Sequence, residues 1–215
     1  MVTPAGLPAA GSTDRSEPGY AFDFCGGHLA LDFTNTVGSR GAAPKDHFNT
    51  YGDLLAWAEA RGAVSKSEAM RLKRAAARDA DAARRALRRG IELREALYRV
   101  LARRASGKSP AADDLACVNR FVTDTYRGAQ LLVDGDRLTL ATDTAAEVLE
   151  RPIAAVVRAA VDLLTGEEAA LVGTCADETC GWLFLDTTRN RTRRWCDMKV
   201  CGNRNKVRRF RGAGV

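Results

Sequence analysis

The chain has 215 residues, 46% of them hydrophobic, and 33 Lys and Arg against 27 Asp and Glu, a net charge of +6. This composition suits an ordinary globular domain with a small additional module, and it excludes a membrane-spanning protein, because no segment approaches the ~20 apolar residues a span requires. The charge is uneven: from Cys175 to Val215 ten Lys and Arg stand against four Asp and Glu, so this tail carries the whole excess and residues 1–174 balance.

In chain order, residues 1–19 are rich in Pro, Gly and Ser without hydrophobic periodicity and read as a flexible arm. The segment lacks the basic start and sustained apolar run of a signal peptide, so a cytosolic chain with reduced thiols is expected. Leu29, Phe33 and Val37 recur at helical spacing up to Gly38. Thr50 with Asp53 forms a capping-box variant opening a helix that Gly62 stops, with Leu54, Leu55, Trp57 and Ala58 on one face. Ser65 with Glu68 opens a long Ala- and Arg-rich element to about Ala105. Its stripe is Leu72, Ala76, Ala80, Ala83 and Leu87, then Leu93, Leu97, Val100 and Leu101, with Gly90 a candidate break. Ser109–Pro110 starts a further helix to about Tyr126. The period then changes to two around Asp134-Gly135-Asp136, a β-hairpin. Pro152 opens a helix through Leu164, ended by Gly166.

The tail is organised by cysteine. Four residues separate Cys175 from Cys180 and Cys196 from Cys201, and fifteen lie between the pairs. Paired Cys loops across a chain reversal supply the closed tetrahedral thiolate shell of one structural Zn²⁺; an iron–sulfur cluster is the other occupant such a set can take. Four protein ligands leave no open position for a catalytic water. A module of about forty residues buries too little surface to fold alone, and zinc binding of roughly 10–16 kcal/mol supplies the deficit. "GWLFLDT" reads as a strand and "CGNRNKVRRFRG" as a terminal helix, so a Cys loop, a hairpin and a helix starting at the last Cys make a treble-clef-like order. In such a helix the N–H groups of Gly202 and Asn203 are expected to point at sulfur, and Arg193, Arg194 and Lys199 to offset the −2 charge of a Zn–Cys₄ centre. Cys25 and Cys117 are remote in sequence and read as free thiols.

On the terminal helix Arg204, Arg208 and Arg211 share a face, Lys206 and Arg209 lie on another, and Val207 and Phe210 are expected to pack on the zinc hairpin with Trp182 and Phe184. Arg193 and Arg194 extend the basic surface upstream. This set suits phosphate neutralisation, with Arg able to read guanine edges. Elsewhere Asp32 and Asn35 are polar residues in an apolar segment, expected to satisfy neighbouring backbone. His28 and His47 are isolated, and neither a nucleophile–base pair nor a phosphate loop is present, so no enzyme is expected.

The string from Trp195 to Lys206, with its Cys-Gly-Asn-Arg core at 201–204, resembles the CGNR zinc-finger family, as does the preceding "CGWLFLDTTRNRTRRWC". The resemblance spans about Val172 to Gly212. "GGHLALDFTNT", "YGDLLAWA" and the long Arg-rich helix are similar to the ABATE domain, which accompanies this finger in bacterial proteins. The resemblance implies a stress-responsive transcription regulator whose finger is the DNA-binding part, with Cys175, Cys180, Cys196 and Cys201 as metal ligands and Arg193, Arg194, Arg204 and Lys206 among its basic residues.

The expected fold is mainly α with a small β-hairpin: an arm at 1–19, a helical domain at 20–171, and a small treble-clef-like α+β zinc finger at 172–215. The expected function is a cytosolic regulator binding double-stranded DNA, with the helical domain sensing an effector or forming a homodimer through the Ala-striped helix. An RNA- or ribosome-associated module and a protein-interaction adaptor use the same charges and stay open at this stage.

Overall fold

The computed structural model describes residues 22–141 and 148–212; the expected arm at 1–19 lies outside them. Helix α1, Leu29–Thr34, is capped by His28, whose Nδ1 accepts the Ala30 N–H at 3.2 Å. It ends before Val37, where the periodicity predicts continuation. The Thr34 and Thr36 hydroxyls donate to the carbonyls of Leu31 and Phe33, each at 2.8 Å, satisfying acceptors that a longer helix would use. Val37–Gly38 (β1) instead pairs antiparallel with Lys45–Asp46 (β2).

Helix α2, Tyr51–Ala60, carries the complete capping box: Thr50 Oγ1 accepts the Asp53 N–H at 3.2 Å, and Asp53 Oδ2 accepts the Thr50 N–H at 2.7 Å. Gly62 takes the left-handed conformation (φ +77°) that lets the Ala63 N–H close on the Ala58 carbonyl at 2.8 Å. At Ser65 only half of the expected box forms. Ser65 Oγ accepts from the Glu68 N–H, while the Glu68 carboxylate takes Arg151 at 2.7 Å.

The predicted continuous element is two helices, α3 at Lys66–Arg78 and α4 at Ala80–Ala105. The break falls at Asp79 rather than Gly90. Asp79 leaves helical geometry (φ −137°, ψ 87°) and its Oδ1 caps α4 by accepting the Ala82 N–H at 2.8 Å. Gly90 lies buried inside α4, where a Cβ would meet Leu54 Cδ2 at 3.4 Å and Ile153 Cδ1 at 3.6 Å. It permits close helix packing instead of ending a helix.

Helix α5, Ala112–Tyr126, starts after Ala111 and not at Ser109–Pro110; the Ser109 carbonyl is held by Arg103 Nε at 2.6 Å. Strands β3 (Gln130–Asp134) and β4 (Arg137–Ala141) form the expected hairpin, with Gly135 at φ +61° in its turn. Pairing of Leu131 with Leu140 and of Val133 with Leu138 sets four aliphatic side chains on one face, 47–78% exposed. Helix α6, Arg151–Thr165, has Pro152 in its first turn and ends at Gly166. Strands β5 (Val172–Thr174) and β6 (Leu183–Leu185) pair antiparallel. A π-type turn at Met198–Gly202 leads into α7, Asn203–Gly212. The described residues are thus mainly helical with small antiparallel pairs, and the tail has the treble-clef-like order.

The core surrounds α4. Leu93, Leu97 and Leu101 meet Leu54, Ile153 and Val156, and Phe33, Phe48 and Trp57 form an aromatic group with centroids 5.2–6.0 Å apart. The stripe expected as a dimer face is largely consumed here: Leu72, Ala83, Leu93, Leu97, Val100 and Leu101 are buried within one chain. Arg94, equally buried, is neutralised by two bonds to Asp46 at 2.6 and 2.7 Å.

The tail joins this core. Val172, Leu183 and Leu185 belong to the same apolar cluster as α1 and α4. Polar bonds seal the seam. Asn35 Nδ2 donates to the Leu183 carbonyl at 2.8 Å and its Oδ1 accepts the Leu183 N–H at 2.9 Å, so one amide serves as a strand neighbour to β6. The Leu185 N–H reaches the Gly26 carbonyl at 2.8 Å, and Trp182 Nε1 the Val37 carbonyl at 2.7 Å. The Arg40 N–H reaches the Cys180 carbonyl at 3.0 Å, and the Tyr98 hydroxyl that of Gly181 at 2.9 Å.

Replacing Asn35 with Ala leaves both Leu183 backbone groups buried without partners, at about 1–3 kcal/mol each. Denaturant unfolding of Asn35→Ala should therefore show a loss of about 2–6 kcal/mol; a midpoint equal to the parent's would mean that the amide does not bridge the two segments.

Candidate metal centre

The Cys175–Cys180 loop is shaped by its own backbone and by one acid. Cys175 N–H donates to the Trp182 carbonyl and Cys180 N–H to that of Asp177, both at 2.8 Å, while Gly181 turns the chain at φ +70°. The second loop is built likewise: Asp197 accepts the N–H groups of Lys199 and Val200 on Oδ1, and its carbonyl accepts those of Cys201 (3.0 Å) and Gly202 (3.1 Å). The N–H groups of Gly202 and Asn203, expected from the sequence to point at sulfur, are both directed at carbonyl oxygens instead, because a wide turn replaces the first turn of an α-helix. A Cβ at Gly202 would overlap Met198 Sδ, the end of a flexible, half-exposed side chain, and come within 3.2 Å of Trp195 Cδ1, so glycine lets these two side chains lie close to the turn.

The two loops bring the four predicted cysteines together. Their Sγ atoms all lie within 4.8 Å of one another, with Cys180–Cys196 and Cys196–Cys201 at 3.6 Å, and all four residues are buried. A tetrahedral ion with Zn–S of about 2.3 Å sets its sulfurs roughly 3.8 Å apart, and the set fits one structural Zn²⁺. Trp182, Phe184 and Trp195 surround the sulfurs and lower the local dielectric. Cys25, distant in sequence, packs against the same cluster. No spacing signal could have found it, since 150 residues of helical domain intervene. Cys117 lies elsewhere, against Glu92 and Arg120.

The sulfurs titrate as one group. Hydrogen bonds from Cys180 and Cys196, against the opposing effect of burial, hold Cys175 down to about 2. The hydrogen bond each gives to Cys175, together with burial, pushes Cys180 and Cys196 up; burial and the Cys175 charge do the same to Cys201. Close sulfurs in a buried cluster resist sharing negative charge unless a cation offsets it.

The seven predicted nucleic-acid residues separate into two sets. Arg193 is committed internally: Nε to the Trp195 carbonyl (3.0 Å), Nη1 to that of Leu185 (3.1 Å), Nη2 to those of Cys25 (2.9 Å) and Cys196, with the guanidinium 4.5 Å over the Phe184 ring. Arg204 and Arg208 meet Asp177 at 3.3 and 3.0 Å. The Asp177 side chain is fully buried and also accepts the Thr179 N–H and hydroxyl. Burial works to raise its carboxyl, but Thr179, Arg208 and Arg204 outweigh that and hold it below the ordinary carboxylate range. Arg194, Lys206, Arg209 and Arg211 are exposed and have no carboxylate partner among the described residues; Arg194 lies 5.4 Å over the Trp195 ring.

The Asp177 latch also sets the rotation of α7. With positions 204 and 208 facing the first Cys loop, Val207 and Phe210 turn to solvent, 50% and 85% exposed. The expected packing of these two residues on the hairpin does not occur; Trp182 and Phe184 fill that space.

Family profiles agree with this division of the chain. ABATE, described as "Putative stress-induced transcription regulator", matches residues 27–167. The chain belongs to the ABATE family. The CGNR zinc finger matches residues 172–212, which hold all four sulfurs. Among curated proteins none matches the chain. Neither matching family is enzymatic, and with the Cys₄ cluster the two describe a zinc-binding regulator. Among the described residues no helix is long and apolar enough to cross a membrane.

Two outcomes follow. Burial and their neighbours push the Cys180, Cys196 and Cys201 thiols up, so Zn²⁺ binding near neutral pH should release protons. Affinity measured against a chromophoric chelator should then fall as the pH is lowered, and a pH-independent affinity would contradict this. Asp177→Asn should raise amide exchange across α7 while leaving one zinc per chain, and unchanged exchange there would mean that the latch does not hold the helix.

Proposed function

We propose that this chain is a cytosolic transcription regulator that binds double-stranded DNA through residues 172–215, with residues 20–171 sensing an effector or pairing two copies. The observation that carries the reading is the sorting of cations in the finger. Arg193, Arg204 and Arg208 are spent on internal carbonyls and on Asp177. Arg194, Lys206, Arg209 and Arg211 are exposed, with no acid to neutralise them among the described residues. A metal-anchored helix with unneutralised cations favours a polyanion, whose counterions are released on binding. The family description supports regulation of transcription.

Two features support a role for the helical segment. One finger covers only about 600–1,000 Å² on DNA, so two copies per site give a more specific regulator. The exposed aliphatic face of β3 and β4 is a surface of the kind that pairs copies. A groove of about 690 Å³ between α2, α3 and α4, lined by Leu55, Met70 and Leu87 together with Lys66 and Lys73, is of a size that takes a small effector.

Titration of the zinc-loaded protein against a DNA duplex over a range of salt tests the reading. Affinity should fall with a log–log slope of about −0.9 per phosphate contact, and Lys206→Ala and Arg209→Ala should each reduce that slope by about 0.9. Chelation should abolish binding. Undiminished affinity after zinc removal would refute the proposal, and RNA outcompeting the duplex would move the function to RNA.

A further inference from the structure

The outward face of α7 is not only cationic. Phe210 is 85% exposed, the largest value among the described large hydrophobic residues, and Val207 beside it is 50% exposed. Neither packs in the cluster around the sulfurs, where Trp182, Phe184 and Trp195 are already seated. A side chain that contributes nothing to the module's core, placed in water on a well-latched helix, is the kind of exposed apolar feature that marks a contact site.

The surroundings say what the contact is. At 3.6 residues per turn Val207 and Phe210 make one strip, with Lys206 along one edge and Arg211 along the other, and Arg209 beyond Lys206. The rotation is fixed by Arg204 and Arg208 on Asp177, about a third of a turn round the helix from this strip. An aromatic ring and an isopropyl group enclosed by three unneutralised cations match a partner that is anionic at its edges and flat and apolar within. Nucleic acid has this arrangement: phosphates outside, base faces and thymine methyl groups inside. An anionic membrane fits less well, because interfacial helices carry a broad apolar stripe, and this ten-residue helix offers two apolar side chains.

We propose that Phe210, supported by Val207, makes apolar contact with nucleic-acid bases while Lys206, Arg209 and Arg211 hold the flanking phosphates. The proposal rests on the nucleic-acid reading above and deepens it. It gives α7 two separable parts: cations that set the salt-dependent affinity, and a ring that adds a salt-independent portion by stacking on a base or wedging into a base step.

The test compares wild type, Phe210→Ala, Phe210→Trp and Lys206→Ala, each zinc-loaded, on a mixed-sequence DNA duplex and on a single-stranded oligonucleotide across a salt series. Phe210→Ala should weaken binding roughly ten- to a hundredfold at every salt concentration with an unchanged slope. Phe210→Trp should retain most of the affinity, and Lys206→Ala should change the slope. Because the ring is exposed, zinc content and thermal midpoint should be the same in all four proteins. Phe210→Ala binding as wild type does, or losing affinity only through a changed slope, overturns the base contact and leaves the parent reading standing. Wild type that shows no salt-dependent binding overturns both. Phe210-dependent sedimentation with phosphatidylserine vesicles, or a Phe210-dependent dimer in sedimentation velocity, would reassign the ring to a membrane or to a second copy and equally overturn the proposal.

Discussion

Four buried sulfurs within 4.8 Å of one another cannot all be ionised unless a cation shares their charge. That requirement shapes the last forty residues. The sulfurs come from two loops whose backbones are each tied by an aspartate, Asp177 in the first and Asp197 in the second. Asp177 then does a second job. Its buried carboxylate takes Arg204 and Arg208, so the loop that positions two of the sulfurs also orients the terminal helix. Metal, loop and helix direction form one arrangement. The exposed ion pairs elsewhere on this Arg-rich chain are worth little individually.

The finger is not strung on a linker. Val172, Leu183 and Leu185 belong to the helical core, and Asn35, Val37, Arg40 and Tyr98 bond to the segment 180–183. Arg40 also makes two bonds to Glu95 at 2.8 and 3.1 Å and stacks on the Tyr98 ring. Helix α4 therefore touches the metal loop through Tyr98 at its C-terminal half and lines the groove with Ala83 and Leu87 at its N-terminal half. A change in the helical segment has a short physical route to the finger, through packed side chains and backbone bonds.

The arginines show how one residue type divides between structure and surface. Arg94 is buried and satisfied by Asp46, Arg193 gathers four carbonyls, and Arg204 and Arg208 close on Asp177. The planar guanidinium with its five donors suits such sites, where an ammonium could not reach several acceptors at once. Lys206, Arg209 and Arg211 differ from these in having no carboxylate partner among the described residues, and that difference is invisible in composition.

Much was determined by local sequence, because the responsible forces are local. The Thr50–Asp53 box, the Gly62 reversal, the Gly135 hairpin turn and the Pro152 helix start depend on residues within a few positions of one another, and the cysteine spacing limits what two loops can bind. Tertiary structure decided the rest. Whether Gly90 ends a helix or lets α4 approach Leu54 and Ile153 depends on what lies opposite, as does the end of α1 at Thr34, where Val37 is taken into a strand pair. Cys25 reaches the sulfurs, and Asn35 reaches Leu183, only because the chain folds back across some 150 intervening residues. Which basic residues face outward depends on a single buried carboxylate, and periodicity alone gives a helix its faces without saying which of them turns toward the protein.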